Sequence, residues 1–586
     1  MEDLTLRYFD AEMRYLREAA LEFARLHPGQ AAQMGLSTPG AADDAVEQLF
    51  QGFAFLSGRL REKLDDDYPE LTEDIISLLW PHALRPLPSA CIVEIAPEVD
   101  DLKISDLISA HSEVASRPVG DSGVRCRYRT TRDLQLNPLM LSTAGTGTEP
   151  DGRHMLRMRF HCRRHADWRQ VDLRNLPFYL HGDAPLSSLI RLYLTRRVAD
   201  CYIRLPGHID RQPFQGGFRG GGFDESDCVW PVESNGTENS GRAGYRHLLE
   251  YFTFREKFMF VDLAGLETID WPEAPEWFEL EIVFSAFWPS EFRFDETNLR
   301  LHCVPVVNLF RLDARPLLIN ARQTDYPLRP LRDADPHTEI FAVEQVATSF
   351  TEGAAVYTPF RHFQHTGSML RDSRPARYYH TRIKRGPSGR AETTLTLGGD
   401  LFEQERQHAE APLALSLTGT NGVLPRKILQ SVLLDTLDST TQTPVRVRNL
   451  STPTMACYPP QRDRFHWQLL SQTGNSFLWM MDDAEVLRNT LKLHCWSDDR
   501  VNQRRLAGIT DVKHWRLQNW QRYLKRGVDI EVTLHTGNFA GEGDVWLFGS
   551  LLNRFLAQFA DEHLYNRLTL ILQPSGKCLR WKENHS

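Results

Sequence analysis

The spacing of large apolar residues changes near residue 88, and that change separates two kinds of fold. Before it, apolar side chains recur at alternating steps of three and four. Leu6, Phe9, Met13, Leu16, Ala20, Phe23 and His27 form one such stripe, the spacing of an α-helix that packs on another helix. Glu12, Arg14, Arg17, Glu18, Glu22 and Arg25 take the other faces. Pro28 and Gly29 are expected to stop the helix, because proline lacks an N–H and glycine favours non-helical backbone. A second stripe runs through Val46, Leu49, Phe50, Phe53, Leu56, Leu60 and Leu64, with Asp43 or Asp44 placed to cap it. A third segment, LTEDIISLLW, has Thr72 as its cap, and Pro81, Pro86 and Pro88 end the helical region.

From about residue 90 the pattern becomes short, alternating or branched runs. CIVEI, VRCRYRTT, HMLRMRFHC and RLYL read as strands separated by Gly, Asp and Asn clusters. The glycine-rich FQGGFRGGGFDESD and SNGTENSGRAG read as loop. A phosphate cradle there would need a preceding strand, a Lys-Ser/Thr pair and a following helix. GYRHLLEYFTFREKFMFVDLAGL starts helical around Tyr245 to Tyr251 and turns strand-like from Phe258 to Leu263. WFELEIVFS and LRLHCVPVVNLF read as buried strands, and ARYYHTRIKR with ETTLTLGG as a strand pair about Gly386-Pro387. PLALSLTGTNGVLP is a strand with an Asn-Gly turn. The tail reads strand, helix, strand: VDIEVTL, DVWLFGSLLNRFLAQFA with a stripe of Leu547, Leu551, Phe555 and Phe559, then RLTLILQ. The expected architecture is α+β and multidomain. A helical N-terminal region spans 1–88, and a β-rich region with a Gly-rich loop at 211–244 spans 89–325. A second β-rich domain spans 326–450, and a mixed α/β domain spans 451–586.

Charge and cysteine usage narrow the function. The formal net charge of −9 offers no basic face for nucleic acid. The acids from Asp43 to Asp74 read as a solvated face. The start carries no signal sequence, and no apolar run approaches the roughly 20 residues of a membrane span. Nine cysteines without a CxxC argue for reduced thiols, hence for a soluble cytoplasmic protein. His161, Cys162 and His165 are close in sequence, but a strand sends His161 and Cys162 to opposite faces, and Arg163 and Arg164 would repel a cation. His494 and Cys495 lack a second ligand pair, and Asp65 to Asp67 lack the alternating oxygens calcium needs. Asn235 and Asn449 sit in glycosylation sequons without meaning in the cytoplasm. PSGKC lacks the rest of a phosphate loop, and no HExxH, GxSxG or Rossmann pattern occurs. No catalytic, cofactor or metal residue emerges. A hydrolytic or carbohydrate-active enzyme has only aromatic segments such as WPEAPEWFEL in its favour. A phage-tail-type binding module is the third reading.

Longer strings carry a resemblance. YFDAEMRYLREAALEFARLHPGQAAQMGL and VEQLFQGFAFLSGRLREKLDDDYPELTEDIISLLWPHALRPLPS resemble the N-terminus of the TssF family, baseplate subunits of bacterial type VI secretion systems. VRCRYRTTRDLQLNPLML, GYRHLLEYFTFREKFMFVDLAGL, LHCVPVVNLF, LSLTGTNGVLP, FHWQLLSQ with DAEVLRNTLKLH, and FAGEGDVWLFGSLLNRFLAQFA continue it in order along nearly the whole chain. Two places depart from the family pattern. Arg255 stands where the family has proline, and HWRLQNWQRYLKRG at 514–527 is longer than the family's proline-containing segment.

The resemblance implies a non-enzymatic assembly role and a fold similar to contractile phage-tail baseplate wedges. Two TssF copies with one TssG would form a wedge, and wedges would surround a VgrG spike hub and contact TssK and TssE. The platform would support tube and sheath, reaching the inner face of the cytoplasmic membrane by docking to the membrane complex and not by insertion. On that view Leu6, Phe9, Met13, Leu16 and Phe23 are candidate interface residues. Periodicity alone leaves three partners open for them: the 46–64 helix, a second copy, or TssG.

Overall fold

The strand Ala90–Pro97 shows how alternation becomes a core. Cys91, Val93 and Ile95 are buried on one face, and the antiparallel neighbour Cys303–Val307 sets Val306 against Cys91 and Val304 against Val93. In the first 79 residues the computed structural model describes 9, 13, 16–17, 20, 24–29, 48–57, 73 and 75–76. Beyond them it describes 80–97, 102–119, 123–163, 166–230, 243–273, 275–319, 325–331, 337–348, 354–359, 377–385, 391–399, 412–427, 432–438, 443–460, 465–474, 477–497, 499–518, 526–560 and 564–584. Two compact units are formed, residues 1–84 with 460–474, and residues 85–459 with 475–586.

In the first unit Phe9, Met13, Leu16 and Ala20 of the N-terminal stripe are helical, as are residues 48–57 and Phe465–Gly474. The helix breaks at His27, and Pro28 and Gly29 are themselves helical. The stop therefore falls one residue before the expected place: a proline restricts the residue ahead of it and is accepted in the first turn of a new helical stretch. Leu6, Phe23, Asp43, Asp44, Val46, Leu60, Leu64, Asp65 to Asp67 and Thr72 lie outside the described residues.

The second unit mixes sheets with short helices. Its six-stranded sheet runs Leu434–Asp438, Glu113–Val119, Val124–Thr130, Cys303–Val307, Ala90–Pro97, Val445–Asn449. A second large sheet contains Phe310–Asp313, Pro412–Thr420, Glu339–Ala347, the hairpin Tyr378–Arg385 with Ala391–Gly398, and Asp325–Pro327. Trp277–Phe284 pairs with His154–Cys162 in a third sheet and Phe260–Ala264 with Asn175–Leu180 in a fourth. At the C-terminal end, Arg526–His535 and Leu564–Gln573 are parallel, joined by the helix Glu542–Ala557. That β–α–β crossover buries Leu547, Phe548, Leu551 and Phe555.

Three readings need correction. RLYL lies in the helix Ala184–Arg196 and not in a strand. Asp183 caps it by accepting from Leu186 N at 3.2 Å, and Pro185 suits the first turn. A four-residue apolar run has no period of its own, so the cap decides the element. The glycine-rich loop contains the strand Gly217–Gly220, paired antiparallel with Phe260–Ala264. A Cβ on Gly216 would come within 2.2 Å of Ala264 O, and one on Gly220 within 2.5 Å of the Arg191 guanidinium. Those glycines permit close approach and do not mark flexibility. Finally, LRLHCVPVVNLF enters three strands in three different sheets: Leu299–Arg300 and Cys303–Val307, divided at His302, whose φ is +55°, and Phe310–Asp313, which its last residue opens.

His302 carries a pH prediction. It is buried, its Nε2 lies 3.2 Å from Asn137 N, and burial with the nearby Arg163 lowers its pKa to about 4. The unfolded side chain titrates near about 6.5, so the neutral ring contributes stability above that pH and loses it as pH falls toward the folded value. The loss is at most about 3 kcal/mol. His302→Asn, which tolerates the left-handed backbone, is expected to flatten the decline of Tm between pH 6.5 and 4.5 in thermal melts. An unchanged slope would place the acid sensitivity elsewhere.

Candidate assembly site and its buried charges

The N-terminal stripe is divided in its exposure. Met13 is buried, while Phe9 and Leu16 are half-buried. The neighbouring helical stretch behaves differently. Leu49, Phe53 and Leu56 are 70%, 59% and 67% exposed, whereas Ala54 on the same stretch is fully buried. Spacings of four and three place those large side chains on one face. Isolated exposed leucines are ordinary, but an aligned row of three on a helix is an unpartnered apolar face. Periodicity cannot tell a covered face from one awaiting cover.

Charges form part of the interior of the second unit. Asp544, in the first turn of Glu542–Ala557, is fully buried. Its Oδ1 accepts from Arg255 Nη2 at 2.7 Å, and its Oδ2 accepts from Arg505 Nε and Ala540 N, both at 3.0 Å. Arg255 Nη2 also donates to Ser188 Oγ at 2.9 Å, and Arg505 Nη1 to Asn502 Oδ1 at 3.2 Å. One carboxylate thus holds together the C-terminal helix, the 3₁₀ turn Arg255–Met259 and the helix Arg500–Ala507. Arg255 opens its turn, a position that also accepts proline. The arginine keeps that backbone geometry and adds an ion pair.

A second buried pair joins Lys257 to Glu250, with side chains 1% and 0% exposed. Glu250 also accepts from Val229 N at 2.9 Å. Arg191 is buried beside them without a carboxylate, donating to Phe258 O at 2.9 Å and Gly221 O at 3.3 Å. Its burial, with Arg196 and Arg255 nearby, lowers its pKa to about 10. A third pair, Arg132 with Asp227, fixes the end of the glycine-rich segment, where Asp227 Oδ2 accepts from Gly222 N at 2.8 Å. Each of these charged side chains has at least one named hydrogen-bond or ion-pair partner, although Arg255 Nε and Arg132 Nη2 are buried without one. The arrangement positions segments and exposes no reactive group.

A family model described as "Type VI secretion system, TssF" matches residues 1–586. The chain belongs to the TssF family of type VI secretion systems. Type VI secretion system component TssF1 of Pseudomonas aeruginosa is 27% identical over 626 residues, covering 99% of this chain and 98% of that protein. Among solved structures, a chain of the TssK–TssF–TssG baseplate subcomplex is similar at a TM-score of 0.83 and 50% identity, covering 92% of this chain and 99% of that one. A chain of the type VI baseplate complex is similar at a TM-score of 0.74 and 48% identity, with 100% and 99% covered. The mixed α and β architecture is shared with these baseplate components, which are structural and not enzymes.

In this TssF-family fold the aromatics that favoured an enzyme are packing residues. Trp271 stacks edge-on against Trp168 and Phe278 at 5.0 and 5.1 Å, and Phe278 is fully buried. His161 is exposed and Cys162 buried on opposite faces of His154–Cys162, and His165 lies outside the described residues, as does Asn235. His494 is buried against the Tyr245 ring at 5.1 Å. Among the described residues no helix is long and apolar enough to cross a membrane. The interior charges belong to no motif. A signal existed: Lys257 sits in TFREKFMF and Asp544 in GDVWLFG, ions inside aromatic runs.

Proposed function

We propose that this chain is a structural wedge component of a type VI secretion baseplate, assembled with TssG and TssK, in which two copies join one TssG. The observation that carries the assembly is the 50% identity, across nearly the whole chain, to a subunit of the TssK–TssF–TssG subcomplex. The row Leu49, Phe53 and Leu56 supports a shared helical bundle, since a short helix with an uncovered apolar face is marginal in water. Covering each large side chain is worth roughly 1.5–3 kcal/mol in gross terms. The N-terminal residues Leu6, Phe9, Met13, Leu16 and Phe23 would complete the seam. Contacts with TssE and the VgrG hub, and placement at the inner membrane face through the membrane complex, belong to the same reading.

The test is co-expression of this chain with its TssG and TssK, followed by native mass measurement. A mass equal to two copies of this chain per TssG is expected. Phe9→Asp, Leu16→Asp or Phe53→Asp with Leu56→Asp should abolish the complex, while charge reversal at the exposed Arg17 should leave it intact. Retention of the full complex by all the apolar-to-Asp variants would sink the bundle, and a 1:1 mass would sink the stoichiometry.

A further inference from the structure

Between the strand Val124–Thr130 and the sheet strands Phe310–Asp313, Glu339–Ala347 and Pro412–Thr420 lies a cavity of about 430 Å³. Its wall carries Arg129, Arg311, His111, Glu344, Ser416 and Thr418. Three of them come from positions with a distinct place in the backbone. His111 has a φ of +68°, which swings it out of the turn before Glu113–Val119 while its N–H donates to Thr130 O at 2.9 Å. Arg311 is directly opposite Thr418 in the register of Phe310–Asp313 with Pro412–Thr420. Glu344 sits at a register shift of Glu339–Ala347, and bulges re-aim side chains in this way.

The acids around the cavity are already engaged, and the guanidiniums are not. Glu113, opposite Arg129 in the ladder, is taken by Arg127 through two bonds of 2.6 and 2.7 Å. Glu344 accepts from Thr418 Oγ1 at 2.6 Å, and Asp133 accepts from Ala110 N at 2.7 Å. Arg129 Nε is buried with no hydrogen-bond partner, and the ion pairs among the described residues include neither Arg129 nor Arg311. Burial lowers the Arg129 pKa with only Glu344 opposing it, and burial with Arg129 lowers that of His111, so the imidazole is neutral near pH 7. Two guanidinium charges against one carboxylate leave one positive charge, with the Ser416 hydroxyl beside it. A planar monoanion matches that balance and the fork geometry of arginine, whereas a dianionic phosphate would face the Glu344 carboxylate.

We infer that this groove receives the carboxylate of an aspartate or glutamate presented by a partner chain of the baseplate. The inference rests on the assembly reading above. In an assembly subunit a partly buried positive charge in excess of its carboxylates is a cost in the free chain that the partner's carboxylate removes on docking. Arg129 would make the buried contact and Arg311 the solvent-facing one, with Ser416 at the rim.

The experiment places p-benzoylphenylalanine at position 416 of the full chain, co-expressed with its baseplate partners, and identifies the photo-crosslinked peptide. A crosslink to a partner segment containing Asp or Glu is expected. It should fall roughly ten- to a hundredfold, the range for a hydrogen bond to a charged group, in Arg129→Gln with Arg311→Gln and equally when the partner's carboxylate becomes its amide. Thermal melts of the free Arg129→Gln chain should show an unchanged or raised Tm, which a purely structural arginine would not give. Absence of the crosslink in a complex that still forms overturns the groove and leaves the baseplate reading standing. A crosslink insensitive to Arg129→Gln with Arg311→Gln, or a lowered Tm, also overturns it. So does Arg129-dependent binding of inorganic phosphate to the free chain that leaves assembly unaffected, which would make the site one for a small oxyanion.

Discussion

Replacing Asp544 with alanine is expected to lower the unfolding free energy by about 3–5 kcal/mol, the cost of breaking a buried ion cluster by removing one partner. The carboxylate is fully buried, and the Arg255 and Arg505 side chains it neutralises are 15% and 4% exposed. Without it two guanidiniums face each other in a dry site, and Ala540 N loses its acceptor. Arg255→Pro should cost less. It restores the residue expected at the start of that turn, leaves Asp544 paired with Arg505, and removes one competing cation. The check is urea denaturation of the full chain, with the midpoint shift converted through the measured slope. If Asp544→Ala and Arg255→Pro shift it equally, Arg255 is the main partner and Arg505 adds nothing. A triple change of Asp544→Leu, Arg255→Met and Arg505→Leu should recover most of the loss, because similar volume without charge avoids desolvation.

That cluster also shows how far a sequence can be read. The helix Glu542–Ala557 was legible from Leu547, Leu551 and Phe555, since a core-facing stripe is a local property. Its flanking parallel strands were legible from branched runs. What Asp544 meets was not legible, because Arg255 and Arg505 arrive from other segments, Arg255 from 289 residues away, and nothing local encodes the meeting. Strand partners share this opacity: Val445–Asn449 completes a sheet begun at Ala90–Pro97, and alternation says that a face is buried without saying by what. The glycine-rich segment failed for the opposite reason. Gly216 and Gly220 suggested freedom, while the contacts they allow are among the tightest in the fold. In the helical stretch at 48–57 the period gives the helix, and Leu49, Phe53 and Leu56 on it are exposed. Family resemblance supplied the role, and no single residue could have.

Lys257→Met is expected to cost about 3–5 kcal/mol at neutral pH and to recover on acidification, a reversal that sets it apart from a simple packing defect. In the native chain burial pushes the Glu250 pKa up, but the Lys257 ammonium and the contact with His247 outweigh it and hold the carboxyl below its ordinary range. A depressed carboxyl contributes stability above its unfolded pKa, near about 4.3, and loses it as pH falls through the folded value. With methionine at 257 the burial that remains raises the folded pKa instead. The deficit is then full at neutral pH and shrinks as Glu250 takes up a proton or as His247, whose Nδ1 is 3.7 Å from Glu250 Oε2, becomes charged beside it. Urea midpoints of the native and Lys257→Met chains should therefore converge between pH 7.5 and 4.5, with the His302 contribution cancelling because both chains retain it. Adding Glu250→Gln should remove the convergence and restore part of the neutral-pH stability, since an amide still accepts from Val229 N. A gap between the two chains that stays constant across that range would mean Glu250 is not the group that Lys257 neutralises.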